Sequence, residues 1–262
     1  MIARGIIEKV KNDFSAAAGI YDSVSSIHKQ IGCRILAGIR ADNPEVILDI
    51  GMGTGYLTEQ TAGKFPGSDV IGIDFAKGMV HYAASKRPNI KVVCADANEL
   101  PFADNSIDLM ISNLALQWTT DFDLLFNVCS RALKPGGQML LSAFGRETFR
   151  ELFFSLEHTA NERKIIMPRL CGGEKIYGSA RRYFGKIEYG CEKMLIRFDS
   201  MRHLLRWVKQ LGANALGRGI FIGKGHMQRA EEYYQKQFPV QEECLDGKIY
   251  ATLEIIWLDM KK

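Results

Sequence analysis

The sequence predicts a doubly wound α/β fold on a mostly parallel sheet, and three observations carry that expectation. Short apolar runs at 46–50, 70–74, 91–95, 107–112 and 138–143 alternate with stretches of helical spacing, the order that lays parallel strands side by side with helices on both faces. The first run, Val46-Ile47-Leu48-Asp49-Ile50, feeds a turn with glycine at every second position, Gly51, Gly53 and Gly55, before a helix begins. Such glycines allow positive φ and close ligand approach, and the helix start behind them offers unpaired N–H groups. Acids then fall at or near the ends of three successive strands: Asp49, Asp74 and Asp96.

The elements follow in order. Residues 1–44 read as one or two helices anchored by Phe14, Ile20, Tyr21, Val24 and Ile27, ending at Asn43-Pro44. A helical pattern after the glycine turn runs to Lys64, where Pro66-Gly67 breaks it. The strand at 70–74 precedes a helix over 77–86 that stops before Pro88. Strands at 91–95 and 107–112 lead to a helix over 121–133, a turn at Lys134-Pro135-Gly136-Gly137 and a strand at 138–143. Alternation then lapses over 145–190, which contains Pro168 and Gly172-Gly173. A strand at 193–198, helices at 200–211 and 226–237 and a strand at 248–258 complete the chain. The expected organisation is a helical cap (1–44), a core (45–145 and 191–262) and a helical lid (146–190).

Composition bounds the function. Charged residues at 24% and hydrophobic ones at 47% of 262 residues describe a domain with a full core. No apolar stretch approaches the roughly 18 residues of a membrane span. Met1 to Val10 carries Arg4, Glu8 and Lys9 without a signal-peptide run, and six cysteines lack C-x-x-C pairs, so a cytoplasmic protein with reduced thiols is expected. Five histidines without ligand spacing predict no metal site. The net charge of +4 is unevenly spread: 163–186 and 200–230 hold thirteen Lys/Arg and one acid, leaving −8 for the rest. Solvated surface charge is one reading of these runs, and an acidic partner is the other.

The glycine turn reads D-x-G-x-G-x-G, not the G-x-G-x-x-G of dinucleotide sites. It resembles the first motif of class I S-adenosylmethionine-dependent methyltransferases. Asp74 lies 19 residues after Gly55, where an ionised carboxylate accepts hydrogen bonds from ribose hydroxyls; capping the next helix is its structural alternative. Asp96 and Ala97 offer a side-chain acceptor and a backbone N–H to adenine. Phe75 and Asn113, beside Asp74 and after the fourth strand, complete the expected cofactor set.

Three stretches narrow the resemblance. Ser112-Asn113-Leu114-Ala115-Leu116-Gln117-Trp118, Phe14-Ser15-Ala16-Ala17-Ala18-Gly19-Ile20-Tyr21, and the helix from Met201 to Leu211 with Gly212-Ala213-Asn214 are similar to the malonyl-acyl carrier protein O-methyltransferases of biotin synthesis. The resemblance runs from about residue 10 to the C-terminus. It implies a Rossmann-like seven-stranded sheet with an antiparallel closing strand, S-adenosylmethionine as cofactor, and methyl transfer to the carboxylate of a malonyl thioester. A carboxylate is already ionised at neutral pH, and no His/Asp or Cys/His base pair stands out in the motifs. Arg146, just past the fifth strand, is either a fork for the acceptor carboxylate or a surface arginine at a helix start. Trp118 and Gln117 are expected at the acceptor, and the Tyr21 hydroxyl is either an acceptor ligand or packing.

The helix over 200–211 puts Met201, Leu204, Leu205, Val208 and Leu211 on one face and Arg202, Arg206 and Lys209 on another, without an acid. With Arg181 and Arg182, this surface is expected to meet an acyl carrier protein bearing a malonyl group, or malonyl-CoA to be used in its place. The charge equally suits tRNA, so a methyltransferase acting on a small acid or on a tRNA carboxymethyl base stays open, as does a catalytically idle cofactor-binding module.

Overall fold

The computed structural model describes residues 4–119, 121–160, 170–212, 223–239 and 249–262. Helices α1 (Arg4–Val24) and α2 (Ser26–Gly38) precede β1 (Val46–Ile50), α3 (Tyr56–Lys64), β2 (Asp69–Asp74), α4 (Lys77–Lys86) and β3 (Lys91–Cys94). Then come β4 (Ile107–Asn113), α5 (Phe122–Ala132), β5 (Leu133–Phe144), α6 (Arg150–His158) and α7 (Gly173–Ala180). Finally β6 (Lys186–Phe198), α8 (Met201–Gln210), α9 (Lys224–Gln237) and β7 (Ile249–Lys261) complete the order.

The strands form one seven-stranded sheet in the order β3-β2-β1-β4-β5-β7-β6. Strands β1 to β5 run parallel, and β7 is antiparallel to both β5 and β6. Strands β1, β4 and β5 are buried on both faces and therefore read as nearly continuous apolar runs. Leu48 and Ile50 of β1 meet Phe122, Leu125 and Phe126 of α5, while Ile47 packs with Ile35 of α2 and Leu57 of α3. Side chains secure two helix starts: Asp121 accepts from the N–H groups of Asp123 and Leu124, both at 3.0 Å, and Ser200 from that of His203 at 3.1 Å.

Two boundaries differ from the sequence reading. Strand β5 begins at Leu133 and runs through the expected Lys134–Gly137 turn; a register shift against β4 between Ile107 and Leu109 takes up the irregularity. Strand β6 begins at Lys186, not Lys193. Its first half alternates, with Ile187, Tyr189 and Cys191 between Lys186, Glu188, Gly190 and Glu192, and ion pairs cover the acids: Arg40 meets Glu188 at 2.9 Å, and Arg34 meets Glu192. Within the stretch expected as a lid, Ile176, Ala180 and Phe184 join the buried cluster around α5.

The N-terminal cap is pinned directly over the glycine turn. Gly78 of α4 approaches α1 so closely that a Cβ there would stand 2.4 Å from the Ser15 carbonyl oxygen. Asp22 accepts from the Thr54 hydroxyl at 2.6 Å and pairs with Arg87 at 3.0 Å, while Arg87 Nε donates to the Thr54 carbonyl at 2.8 Å.

Candidate active site

Strand order reverses between β1 and β4, and ligands bind beyond the C-terminal strand ends at such a switch point. A cavity lies there, floored by Gly51, Gly53, Asp74, Phe75, Asp96 and Ala97. Asn113 lines it from β4, and Phe14, Tyr21 and Trp118 close it. The sequence-predicted cofactor residues therefore converge, with two exceptions. Gly55 (φ +79°) is absent from the cavity wall; a Cβ on it would meet Ile90 at 2.7 Å, so it permits close packing of the turn against α4 and the segment that follows it. Asp49 lines an adjoining recess with Gly51, Gly53, Tyr21, His28 and Asn113.

Burial shapes the carboxylates. Asp74 accepts from the Gly53 N–H at 2.9 Å and the Ala76 N–H at 2.8 Å. It therefore organises the turn and starts α4 while still facing the cavity. Desolvation pushes its pKa up to about 6 against the lowering pull of those N–H groups. Asp49, bonded to the Thr58 hydroxyl at 2.7 Å, is pushed up to about 7 by the same cause, with Asp74 adding repulsion. Asp96 receives the Asn98 N–H and side-chain amide on Oδ1, at 3.0 and 3.2 Å. Asn113 is committed on both sides, donating to the His28 carbonyl at 2.8 Å and accepting from the Ser142 hydroxyl at 2.9 Å.

A second chamber shares Phe14, Tyr21, Leu114 and Trp118 with the first and extends to His28, Gln117, Phe144, Phe149 and Trp207. Two of its residues carry backbone strain: Leu114 (φ +52°) and Phe149 (φ +60°) sit in the left-handed region without being Gly or Asn. Tyr21 borders both chambers and the recess, so it stands where they meet. Burial raises its hydroxyl pKa, with Asp74 and Asp22 adding to the shift.

Residues 48–141 match the family described as Methyltransferase domain. The chain is 32% identical to malonyl-[acyl-carrier protein] O-methyltransferase 1 of Coxiella burnetii, over 95% of this chain and 85% of that one. This chain belongs to the malonyl-[acyl-carrier protein] O-methyltransferase family. It is also 30% identical to the biotin biosynthesis bifunctional protein of Cellvibrio japonicus, over 97% of this chain and 50% of that protein. A solved phosphoethanolamine N-methyltransferase 2 of Haemonchus contortus, in complex with S-adenosyl-L-methionine, shares the fold at a TM-score of 0.57 and 23% identity, over 94% of this chain and 57% of that one. The protein is an S-adenosylmethionine-dependent O-methyltransferase.

The cavity fits that cofactor. Gly53 (φ +57°) has nothing within 4 Å of where a Cβ would be, so a side chain there would occupy the space a ligand needs. Asp74 suits the ribose hydroxyls and Asp96 the adenine amino group, while Asp49 marks the recess beside the glycine turn. A cationic ligand favours ionised carboxylates, so its affinity should fall about ten-fold or more between pH 7 and pH 5 as Asp49 and then Asp74 take up protons. Calorimetry across that range checks this, and a flat profile would contradict it. The free protein's stability is a poorer readout. Raised carboxyl pKa values make stability fall as pH rises from about 4 to 7, whereas His28, held down at about 4 by burial, makes it rise over much of the same window.

Other expected residues are placed differently. Arg146 is half exposed (51%), bonded to Glu174, and lines neither chamber. Its position past β5 is as expected, but Glu174 takes its guanidinium. Arg182 pairs with Asp123, and Arg181 lies over the Tyr177 ring at 5.8 Å. Both precede β6, whereas α8 follows it, so about 40 Å of extended chain separates them from the α8 bases. Arg202, Arg206 and Lys209 are exposed and pair with no acid among the described residues. Ala213 and Asn214 and the bases at 163, 164, 169 and 218 lie outside those residues. His28 and Phe149 line the second chamber although no motif marks them, and Trp207 does so from the 201–211 helix, expected only as a partner-facing surface.

Proposed function

We propose that the protein methylates the free carboxylate of a malonyl group carried on an acyl carrier protein, masking its charge as the opening step toward the pimeloyl chain of biotin. When bound, S-adenosylmethionine supplies an electrophilic methyl on a sulfonium sulfur, which a carboxylate oxygen accepts with a lone pair and no loss of a proton. The protein's part is placement and exclusion of water. Trp118, Phe14 and Tyr21 wall the chambers from bulk solvent, and α1 is held over them by Asp22, Thr54 and Arg87.

The observation that carries this reading is that, among the described residues, no usable base lines the apolar acceptor chamber. Of the titratable groups lining it, His28 is pushed down to about 4 and the Tyr21 hydroxyl well up, so neither takes a proton from an acceptor near neutral pH. An amine or carbon acid would need one; a carboxylate does not.

Helix α8 connects the partner to the chamber. It contributes Trp207 and Val208 to the chamber wall while Arg202, Arg206 and Lys209 face outward. Trp207 Nε1 donates to the Val24 carbonyl at 3.1 Å, tying the helix to the cap. An acidic carrier docked on the outer face would deliver its acyl group beside the chamber, with attraction acting mainly on encounter. Reversing the three bases to Glu should raise KM for malonyl carrier protein and leave malonyl-CoA at high concentration nearly unchanged. Equal loss on both would assign the helix to the fold. Added salt should reproduce part of the carrier-specific loss, because screening shortens to about 8 Å at physiological ionic strength. Presenting malonyl carrier protein, a small dicarboxylic acid and bulk tRNA in competition tests the substrate class; preferential labelling of tRNA or the small acid would overturn the reading.

A further inference from the structure

The acceptor chamber contains two polar atoms that its own walls leave unsatisfied. His28 Nδ1 and Gln117 Oε1 are buried and have no hydrogen-bond partner among the described residues, and both residues line the chamber. An unpaired buried polar atom forfeits its bonds to water without replacement, so folded proteins keep few of them. The surrounding structure holds both groups in place. Gln117 Nε2 donates to the Leu114 carbonyl at 2.6 Å, which leaves Oε1 an acceptor only. The His28 ring makes edge contacts with Tyr21 and Phe144, each with centroids 5.8 Å apart. Its backbone carbonyl accepts from Asn113 at 2.8 Å. Strained Leu114 and Phe149 line the same chamber, and such strain gathers at functional sites.

A carboxylate offers acceptors and no donor. It is repelled by Gln117 Oε1 and matched by an imidazole N–H. We propose that His28 is the ligand of the acceptor carboxylate, donating from Nδ1 to one oxygen and leaving the other to accept the methyl group. This rests on the carboxyl-methylation reading above. Burial keeps the imidazole neutral at working pH, with its pKa down at about 4. It then holds the acid by a hydrogen bond rather than an ion pair, and release of the ester leaves no buried cation behind.

The test is binding to protein loaded with S-adenosylhomocysteine, using malonyl-CoA and its methyl ester as probes in calorimetry. Unaltered protein should bind the acid more tightly than the ester. His28→Phe keeps an aromatic ring against Tyr21 and Phe144, so it should hold S-adenosylhomocysteine normally and weaken the ester, whose carbonyl is a poorer acceptor, only slightly, while acid binding weakens about ten-fold. Unchanged acid binding would overturn the proposal. So would equal weakening of acid and ester, which would make His28 a shaping residue, or a selective loss of S-adenosylhomocysteine, which would assign it to the cofactor. His28→Asn retains a donor and should keep the preference for the acid; a folded asparagine variant without that preference counts against the proposal even where the phenylalanine variant fails to fold. Unaltered protein that binds neither probe would remove the substrate reading itself, and the role of His28 with it.

Discussion

Asp74→Ala should weaken S-adenosylmethionine binding by about 1.5–3 kcal/mol, roughly ten- to hundred-fold, the range for hydrogen bonds to a charged group. Two losses combine. The ribose hydroxyls lose their acceptor, and the Gly53 N–H loses the carboxylate that fixes the turn at 2.9 Å. Titration calorimetry on the variant, beside its melting temperature, separates the alternatives. Normal binding with reduced stability would make Asp74 only an anchor of the turn leading into α4, where it accepts from the Ala76 N–H. Asp74→Asn keeps the shape and part of the acceptor capacity, so it should fall between the two.

The glycine turn should be still less tolerant. At Gly51, φ is +74° and a Cβ would lie 2.2 Å from the Ala115 Cβ, in the segment that follows β4. Gly51→Ala therefore forces the turn and that segment apart. Both line the cofactor cavity, and overpacking with left-handed strain amounts to about 3 kcal/mol, roughly a hundred-fold in affinity. Gly53→Ala is the informative contrast. Its Cβ meets no protein atom within 4 Å and only the left-handed strain of φ +57° remains, about 1–2 kcal/mol, so the free protein should melt within a few degrees of the parent while cofactor binding falls. If Gly53→Ala binds S-adenosylmethionine normally, the cavity has been assigned to the wrong ligand.

These residues were legible because the features behind them are local. A strand, a glycine turn and a helix start are consecutive in sequence, and Asp74 and Asp96 stand at or just past strand ends whose positions the apolar runs mark. The family-like stretch 112–118 likewise carried Gln117 and Trp118 to the acceptor wall. What stayed hidden depends on distant partners. Arg146 turns outward because Glu174, 28 residues later, takes its guanidinium. Gly55 packs against Ile90 and Ala83 of the following units rather than against a ligand. His28 has no motif around it; only the packing of α2 against β4 and β5 brings its ring beside Tyr21 and Phe144. The start of β6 does carry a strand signal, with Ile187, Tyr189 and Cys191 alternating with Glu188, Gly190 and Glu192; only the fold shows that Arg34 and Arg40 of the preceding cap pair with those acids.

The central claim is methyl transfer to a malonyl carboxylate, and intact-protein mass spectrometry tests it most directly. Malonyl carrier protein incubated with the enzyme and S-adenosylmethionine should gain the mass of a single methylene, and the gain should map to the acyl carboxylate as an ester that mild base removes. Acetyl carrier protein, which lacks that carboxylate, should gain nothing. Equal methylation of the acetyl form, or no gain on the malonyl form by enzyme that binds the cofactor, would contradict the account.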